Sequence, residues 1–298
     1  MTFNVGFIGL GIMGSRMAAR LRAQGCHLVL FNRERAKAES LLREGAQWAH
    51  SPATAAANAD LVFTMLAHPE AVTAVALGAN GFLGAMRPGS IWVNCGTVNP
   101  AFAQQMALEA RARRIRYLDA PVTGSKDAAT RGELTFLVGG DVADLDVCRP
   151  LLEAMGQRIV HVGRNGMGSA MKMVNNVMLG VTMAALAEGL SLGEALGVPR
   201  QTILDTLAAT PLTAPIVAAK RAKIERADYA ADFSMRWLEK DLHLASVSAY
   251  ESGAAMPVVH ATKELYRLAM RGGFAEQDFS AIYEFLNPPV NRDGKRVA

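Results

Sequence analysis

Short apolar runs separated by amphipathic stretches fill the first half of the chain, and apolar positions at helical spacing fill the second. Runs of the first kind lie at 3–8, 27–31, 61–66, 91–93, 117–120, 134–138 and 158–162. Runs this short, bounded by Gly, Asn, Asp and Pro, read as strands buried on both faces, and the helical stretches between them give the rhythm of a parallel sheet. After Gly163-Arg164-Asn165-Gly166, a turn-rich break, no strand pattern returns. The spacing predicts a long helix over 167–196, helices starting near Pro199 and Pro215, and two more over 234–252 and 257–271. The expected fold class is α/β: a Rossmann-type doubly wound sheet over 1–163, then an all-α domain over 164–298. The tail over 287–298, with its prolines and mixed charge, is expected to be poorly ordered.

Asn175, Asn176, Thr182, Glu188 and Glu194 interrupt the long helix, which argues against a membrane span and for burial on most sides. With 298 residues, 51% apolar and 19% charged, the chain can bury two domains and is not of disordered composition. The net charge of +4 is mild, and its one dense cluster, Arg111, Arg113, Arg114 and Arg116, ends a predicted helix, where cations suit the carbonyl end. No nucleic-acid footprint results. Cys26, Cys95 and Cys148 are widely spaced and without a C-x-x-C, so neither a disulfide framework nor a metal site is expected. That usage fits a reducing cytoplasm, and no basic-then-apolar leader precedes the first strand.

The first chemical signal is Gly9-Leu10-Gly11-Ile12-Met13-Gly14, which follows a strand and opens a helix. In that setting G-x-G-x-x-G gives a tight turn, a backbone that a pyrophosphate can approach, and close packing of the helix, with the phosphates at its N-terminus. About twenty residues on, where a carboxylate would take the ribose hydroxyls, the chain has Asn32 and Arg33, with Arg35 and Lys37 behind. A guanidinium there suits a 2′-phosphate, which favours NADP over NAD; the bland reading is that these basic residues merely start a solvated helix over 33–43. Met65 and Leu66 end one strand, and Thr97 follows another, on the side where open parallel sheets bind ligands. His68-Pro69 reads as a loop device rather than a catalytic group. The loop Thr123-Gly124-Ser125, with its hydroxyls and glycine, suits a carboxylate.

Lys172 and Asn176 are four apart, so on a helix they share a face, here among Met171, Met173, Val174, Val177 and Met178. Such a lysine loses solvation as an ammonium, which moves its pKa toward the range useful for proton transfer, and an amide one turn on can hold a substrate oxygen. A lone lysine on an apolar face can equally snorkel to water. What favours chemistry is the dinucleotide motif in the other half of the chain.

Together these motifs resemble the β-hydroxyacid dehydrogenases, the group containing 3-hydroxyisobutyrate dehydrogenase, tartronate semialdehyde reductase and the glyoxylate/succinic semialdehyde reductases. The resemblance rests on the glycine motif, on Asp119-Ala120-Pro121-Val122-Thr123-Gly124-Ser125, on Gly166 to Asn176, and on Lys240-Asp241-Leu242. It implies that Lys172 is the acid/base, that Asn176, Thr123, Gly124 and Ser125 hold substrate, that Lys240 lies by the cofactor, and that the long helix builds a homodimer or homotetramer. The substrate would be a small carboxylate-bearing carbonyl or hydroxyl compound. Two departures stand out: Asn94-Cys95-Gly96-Thr97 replaces the usual Asp-x-Ser-Thr, so only Thr97 carries over, and the substrate loop reads Thr-Gly-Ser-Lys. The latter is closer to the glyoxylate/succinic semialdehyde branch, in which Phe233 could line the pocket, or could equally be core. The reaction expected is hydride transfer between NADPH and a short semialdehyde or β-hydroxyacid, in the cleft between the domains. An imine reductase of similar fold and a non-catalytic NADP-binding module are the alternatives.

Overall fold

The computed structural model describes residues 3–211 and 213–288. Two compact units divide the chain, Met1–Lys172 and Met173–Ala298. Most of the tail expected to be poorly ordered, 289–298, lies outside the described residues.

In the first unit the strands are β1 (Asn4–Ile8), β2 (His27–Phe31), β3 (Gln47–Trp48), β4 (Leu61–Thr64), β5 (Ile91–Asn94), β6 (Arg116–Asp119), β7 (Val122–Thr123), β8 (Leu134–Gly139) and β9 (Gly156–Gly163). They form one sheet in the order β3-β2-β1-β4-β5-β6-β8-β7, with β9 paired to β8. The strands β1 to β6 pair in parallel, whereas β8 runs antiparallel to β6 and parallel to β9. The order reverses at β1, between β2 and β4, which is where such sheets open a crevice at the carboxyl ends of the strands.

Alternation along the strands sorts side chains to the two faces. Val5, Phe7, Leu61, Phe63, Ile91 and Val93 pack on one face with α1 (Ile12–Ala23), α2 (Glu39–Arg43), α6 (Lys126–Arg131) and α7 (Val142–Met155). Ile8, Val62 and Trp92 face the other way, onto α3 (Pro52–Ala56), α4 (Pro69–Leu77) and α5 (Pro100–Ala112). Trp92 fills that layer edge-on against Phe82 and Tyr117, with ring centroids 5.0 Å and 4.7 Å away. Both faces are therefore dry, as uninterrupted apolar strands require. The solvated helix expected over 33–43 is instead a 3₁₀ turn, Arg35–Ala38, followed by the short α2.

The second unit is helical. The long helix α8 (Met167–Ala195) enters it, and α9 (Arg200–Ala208), α10 (Pro215–Arg226), α11 (Met235–Ser252), α12 (Pro257–Ala269) and α13 (Ile282–Leu286) surround its buried side. Met183, Leu186, Ala187 and Leu190 of α8 join Leu238, Leu242, Tyr266 and Phe279 in one core. A Cβ on Gly180 would lie 3.1 Å from Leu242 Cδ1, so glycine there admits α11 closely. By length and composition alone α8 is long and apolar enough to cross a membrane, and 44% of its most apolar stretch is buried inside the protein. Its glutamate Glu194 accepts a hydrogen bond from Tyr283 Oη at 2.6 Å and pairs with Arg200 at 2.7 Å.

Candidate active site

The glycine motif bridges β1 and α1. Gly9 has φ +101°, and a Cβ there would strike the Met65 carbonyl, so the turn abuts the end of β4. Gly14 lies against the carbonyl of Gly9 and admits no side chain. Gly11, by contrast, is the N-cap of α1, and a Cβ placed on it meets nothing within 4 Å. Open space over an uncapped helix N-terminus is what a pyrophosphate needs, so these residues fit a dinucleotide.

Asn32 braces this loop from the end of β2. Its Oδ1 accepts from the Leu10 amide at 3.1 Å and its Nδ2 donates to the Glu34 carbonyl at 3.1 Å. Lys37 pairs with Glu34 at 2.9 Å, while Arg33 and Arg35 are exposed. Met65, Leu66 and Thr97 are half-buried beyond the carboxyl ends of β4 and β5. His68 is the N-cap of α4, its ring accepting from the Ala71 amide at 3.2 Å.

The departure at Asn94-Cys95 faces inward. Asn94 Oδ1 accepts from Thr64 Oγ1 at 2.9 Å and from the Gly96 amide at 3.3 Å. Burial pushes the Cys95 thiol far above its ordinary range, so this sulfur is not a nucleophile. In the substrate loop, Thr123 belongs to β7, Gly124 has φ +134°, and Ser125 caps α6 by accepting from the Ala128 amide at 3.3 Å. The serine keeps its hydroxyl proton for another acceptor.

Lys172 and Asn176 both lie on the buried side of α8, at 9% and 1% exposure. Asn176 Nδ2 donates to Asp241 Oδ2 at 2.5 Å, and its Oδ1 accepts from Asn175 Nδ2 at 2.9 Å. The other Asp241 oxygen lies 2.6 Å from Lys240 Nζ. Asp241 thus joins two of the residues read from the sequence, yet only its lysine neighbour was singled out there. The signal was present, because an acid in a helix core needs partners. Phe233 is half-buried, edge-on to Phe279 at 6.1 Å, and its amide donates to Asp278 Oδ2 at 3.3 Å.

Asp119, which the sequence shows only as the first residue of the substrate-loop motif and with no role of its own, is fully buried at the end of β6. Its Oδ1 accepts from the Gly166 amide and its Oδ2 from the Ser169 amide, both at 2.8 Å. Burial pushes this carboxyl up to about 6, an effect that the Gly166 and Ser169 amides, and after them the Ser169 hydroxyl, only partly offset. Among the described residues no cluster of three or more His, Cys, Asp or Glu could hold a metal ion.

Known proteins place these features in one family. Residues 4–163 match the model of the NAD-binding domain of 6-phosphogluconate dehydrogenase, and residues 166–286 match that of the NAD-binding region of NADP-dependent 3-hydroxyisobutyrate dehydrogenase. The chain is 34% identical to glyoxylate/succinic semialdehyde reductase 2 of Arabidopsis thaliana, over 98% of this chain and 82% of the relative. It is 36% identical to a probable mitochondrial 3-hydroxyisobutyrate dehydrogenase of Dictyostelium discoideum, over 95% of this chain and 90% of the relative. Among solved structures, a 3-hydroxyisobutyrate dehydrogenase of Mycobacterium tuberculosis with L-serine superposes with a TM-score of 0.88 at 31% identity, covering 96% of this chain and 99% of that one. With its Rossmann-type first unit and helical second, the chain belongs to the 3-hydroxyisobutyrate dehydrogenase-like family of NAD(P)-dependent oxidoreductases acting on the hydroxyl group of hydroxyacids.

Proposed function

We propose that the chain is an NADPH-dependent reductase of short semialdehydes, acting in reverse as a β-hydroxyacid dehydrogenase, with Lys172 as general acid and base. The observation that carries this reading is a buried lysine one helical turn before a buried asparagine whose amide is held by a carboxylate. When bound, the nicotinamide supplies the hydride to the carbonyl carbon. Lys172 donates a proton to the carbonyl oxygen as the new C–H bond forms, and in the oxidation direction it takes that proton back. Of the two amide N–H bonds of Asn176, one serves Asp241, and the other is left to hold the same substrate oxygen. Thr123, Gly124 and the Ser125 hydroxyl orient the substrate carboxylate, and Phe233 lines the pocket beside it. Lys240, ion-paired to Asp241, lies by the cofactor.

Arg33 faces the 2′-phosphate of NADP, while Asn32 acts through the glycine loop it braces. Met171, Val174, Met178 and Leu192 leave an apolar stripe exposed along α8, which supports a homodimer or homotetramer built on this helix. Steady-state oxidation of NADPH and of NADH with a panel of short semialdehydes and α-keto acids tests the reading. Fast NADPH consumption with one semialdehyde is expected; an inert panel with intact NADPH binding contradicts it.

A further inference from the structure

We propose that Asp119 is a positioning residue of the reaction: its carboxylate clamps the first turn of α8 to the end of β6, and so sets where Lys172 stands relative to the substrate loop. The proposal rests on the reading of Lys172 as the acid/base. Asp119 is the last residue of β6, and the loop Ala120-Pro121-Val122-Thr123-Gly124-Ser125 leaves directly from it. Its two oxygens receive the Gly166 and Ser169 amides separately, so both the entry to α8 and its first turn are fixed by one side chain. Lys172 follows Ser169 by three residues, less than one helical turn.

The surrounding backbone shows how tightly this turn is seated. A Cβ on Gly168 would come within 2.6 Å of the Asp119 carbonyl and 2.8 Å of the Gly139 amide, besides striking the Leu137 carbonyl. A Cβ on Gly139 would in turn lie 2.6 Å from Asp119 Oδ1 and 2.8 Å from the Gly168 amide. Helix and strand ends thus meet without side chains between them, and the carboxylate is what holds them in register. Among the described residues no cation offsets its charge, so a full carboxylate stands here at a cost in stability. A serine or threonine cap would satisfy one amide without that cost. The second amide requires the second oxygen, and only an ionised carboxylate leaves both free to accept.

This makes the clamp sensitive to acid. A protonated Asp119 turns one oxygen into a donor that faces an N–H, so one of the two amides is released. The neighbouring groups are identifiable. On β6, the buried Tyr117 hydroxyl has its pKa pushed further up, by burial and by Asp119 itself. Beyond β5, the Cys95 thiol is also pushed up, so both stay neutral from pH 5 to 8. His161 on β9 lies with its Nε2 2.9 Å from the Gly140 carbonyl. Lys172 itself lies farther along α8, and Arg164 approaches through its main chain.

The test is the pH profile of kcat for the wild-type enzyme, Asp119→Asn, His161→Gln and Lys172→Ala, with NADPH and the semialdehyde substrate. The wild type and His161→Gln are expected to lose kcat below about pH 6, whereas Asp119→Asn has no such limb. At pH 8, Asp119→Asn is expected to retain its NADPH affinity and to lose kcat by about 10- to 100-fold, the scale of an ångström-sized misplacement of a catalytic group. An acid limb that persists in Asp119→Asn overturns the proposal, as does an unchanged kcat. Full turnover by Lys172→Ala would instead overturn the underlying reading. Should Asp119→Asn not fold, hydrogen exchange of the wild type decides. Protection of 166–172, corrected for intrinsic rates, is expected to fall in step with kcat, and constant protection through that loss overturns the clamp.

Discussion

Replacing Gly11 by alanine separates the fold from the cofactor cradle. Gly11 has φ −73° and ψ −166°, an extended conformation that alanine adopts freely, and its Cβ would meet no atom within 4 Å. Losing a glycine N-cap for alanine costs about 0.5 kcal/mol, and the stiffer unfolded chain returns a similar amount, about 0.4–1 kcal/mol. The net change in stability is therefore about zero, and the melting temperature should hold within about 2 °C. The methyl group would stand where the pyrophosphate approaches the α1 N-terminus. Displacing one or two charge-assisted hydrogen bonds, at about 1.5–3 kcal/mol each, weakens NADPH by at least about tenfold. Fluorescence titration of NADPH beside a thermal melt reads both quantities. Gly14→Ala is the contrasting control, since its Cβ collides with the Gly9 carbonyl and must unseat the loop itself, so its melting temperature falls as well. A Gly11→Ala protein that melts normally and binds NADPH as tightly as wild type would refute the placement of the phosphates.

Three further outcomes follow from named contacts. Arg33→Ser should cut the preference for NADPH over NADH by about 10- to 100-fold, the worth of a guanidinium–phosphate bond, with NADH kinetics unchanged; equal loss for both cofactors would exclude a 2′-phosphate contact. Lys220→Met leaves Asp278 without the ammonium 2.8 Å away in a site where both are buried, and should destabilise the protein by about 3–5 kcal/mol in chemical denaturation; a loss below about 1 kcal/mol would show that the amides of Asp232, Phe233 and Ser280 suffice for the carboxylate. Asp119, with its carboxyl raised from 3.8 to about 6, adds stability that is fully present below about pH 4 and is lost as pH rises through about 6. The stability of wild type relative to Asp119→Asn should thus fall by about 2 kcal/mol between pH 4 and 7, and a difference that is flat with pH would contradict it.

What the sequence made legible was whatever repeats with a short period. The strands at 27–31 and 134–139 and the long helix at 167–195 were readable because their apolar runs are bounded by Gly, Asn or Pro. The two-residue strands β3 and β7 were missed, since so short a pairing leaves no pattern of its own and exists only because a neighbouring strand offers its edge. Lys172 and Asn176 could be put on one face by spacing alone. Asp119 and Asp241 could not be given partners in this way, because their amide donors lie 47, 50 and 65 residues distant in the chain. Asn32 was legible as a missing carboxylate, but its bond to the Leu10 amide depends on how the end of β2 meets the glycine loop.

The central claim is that Lys172 moves the proton. Single-turnover oxidation of NADPH by enzyme saturated with cofactor and semialdehyde, wild type against Lys172→Ala, tests it without interference from product release. Proton transfer by a positioned group contributes about 10²- to 10⁴-fold, so the variant should lose at least about 100-fold in the hydride step while binding NADPH with unchanged affinity. A single-turnover rate equal to that of wild type would show that the proton comes from elsewhere.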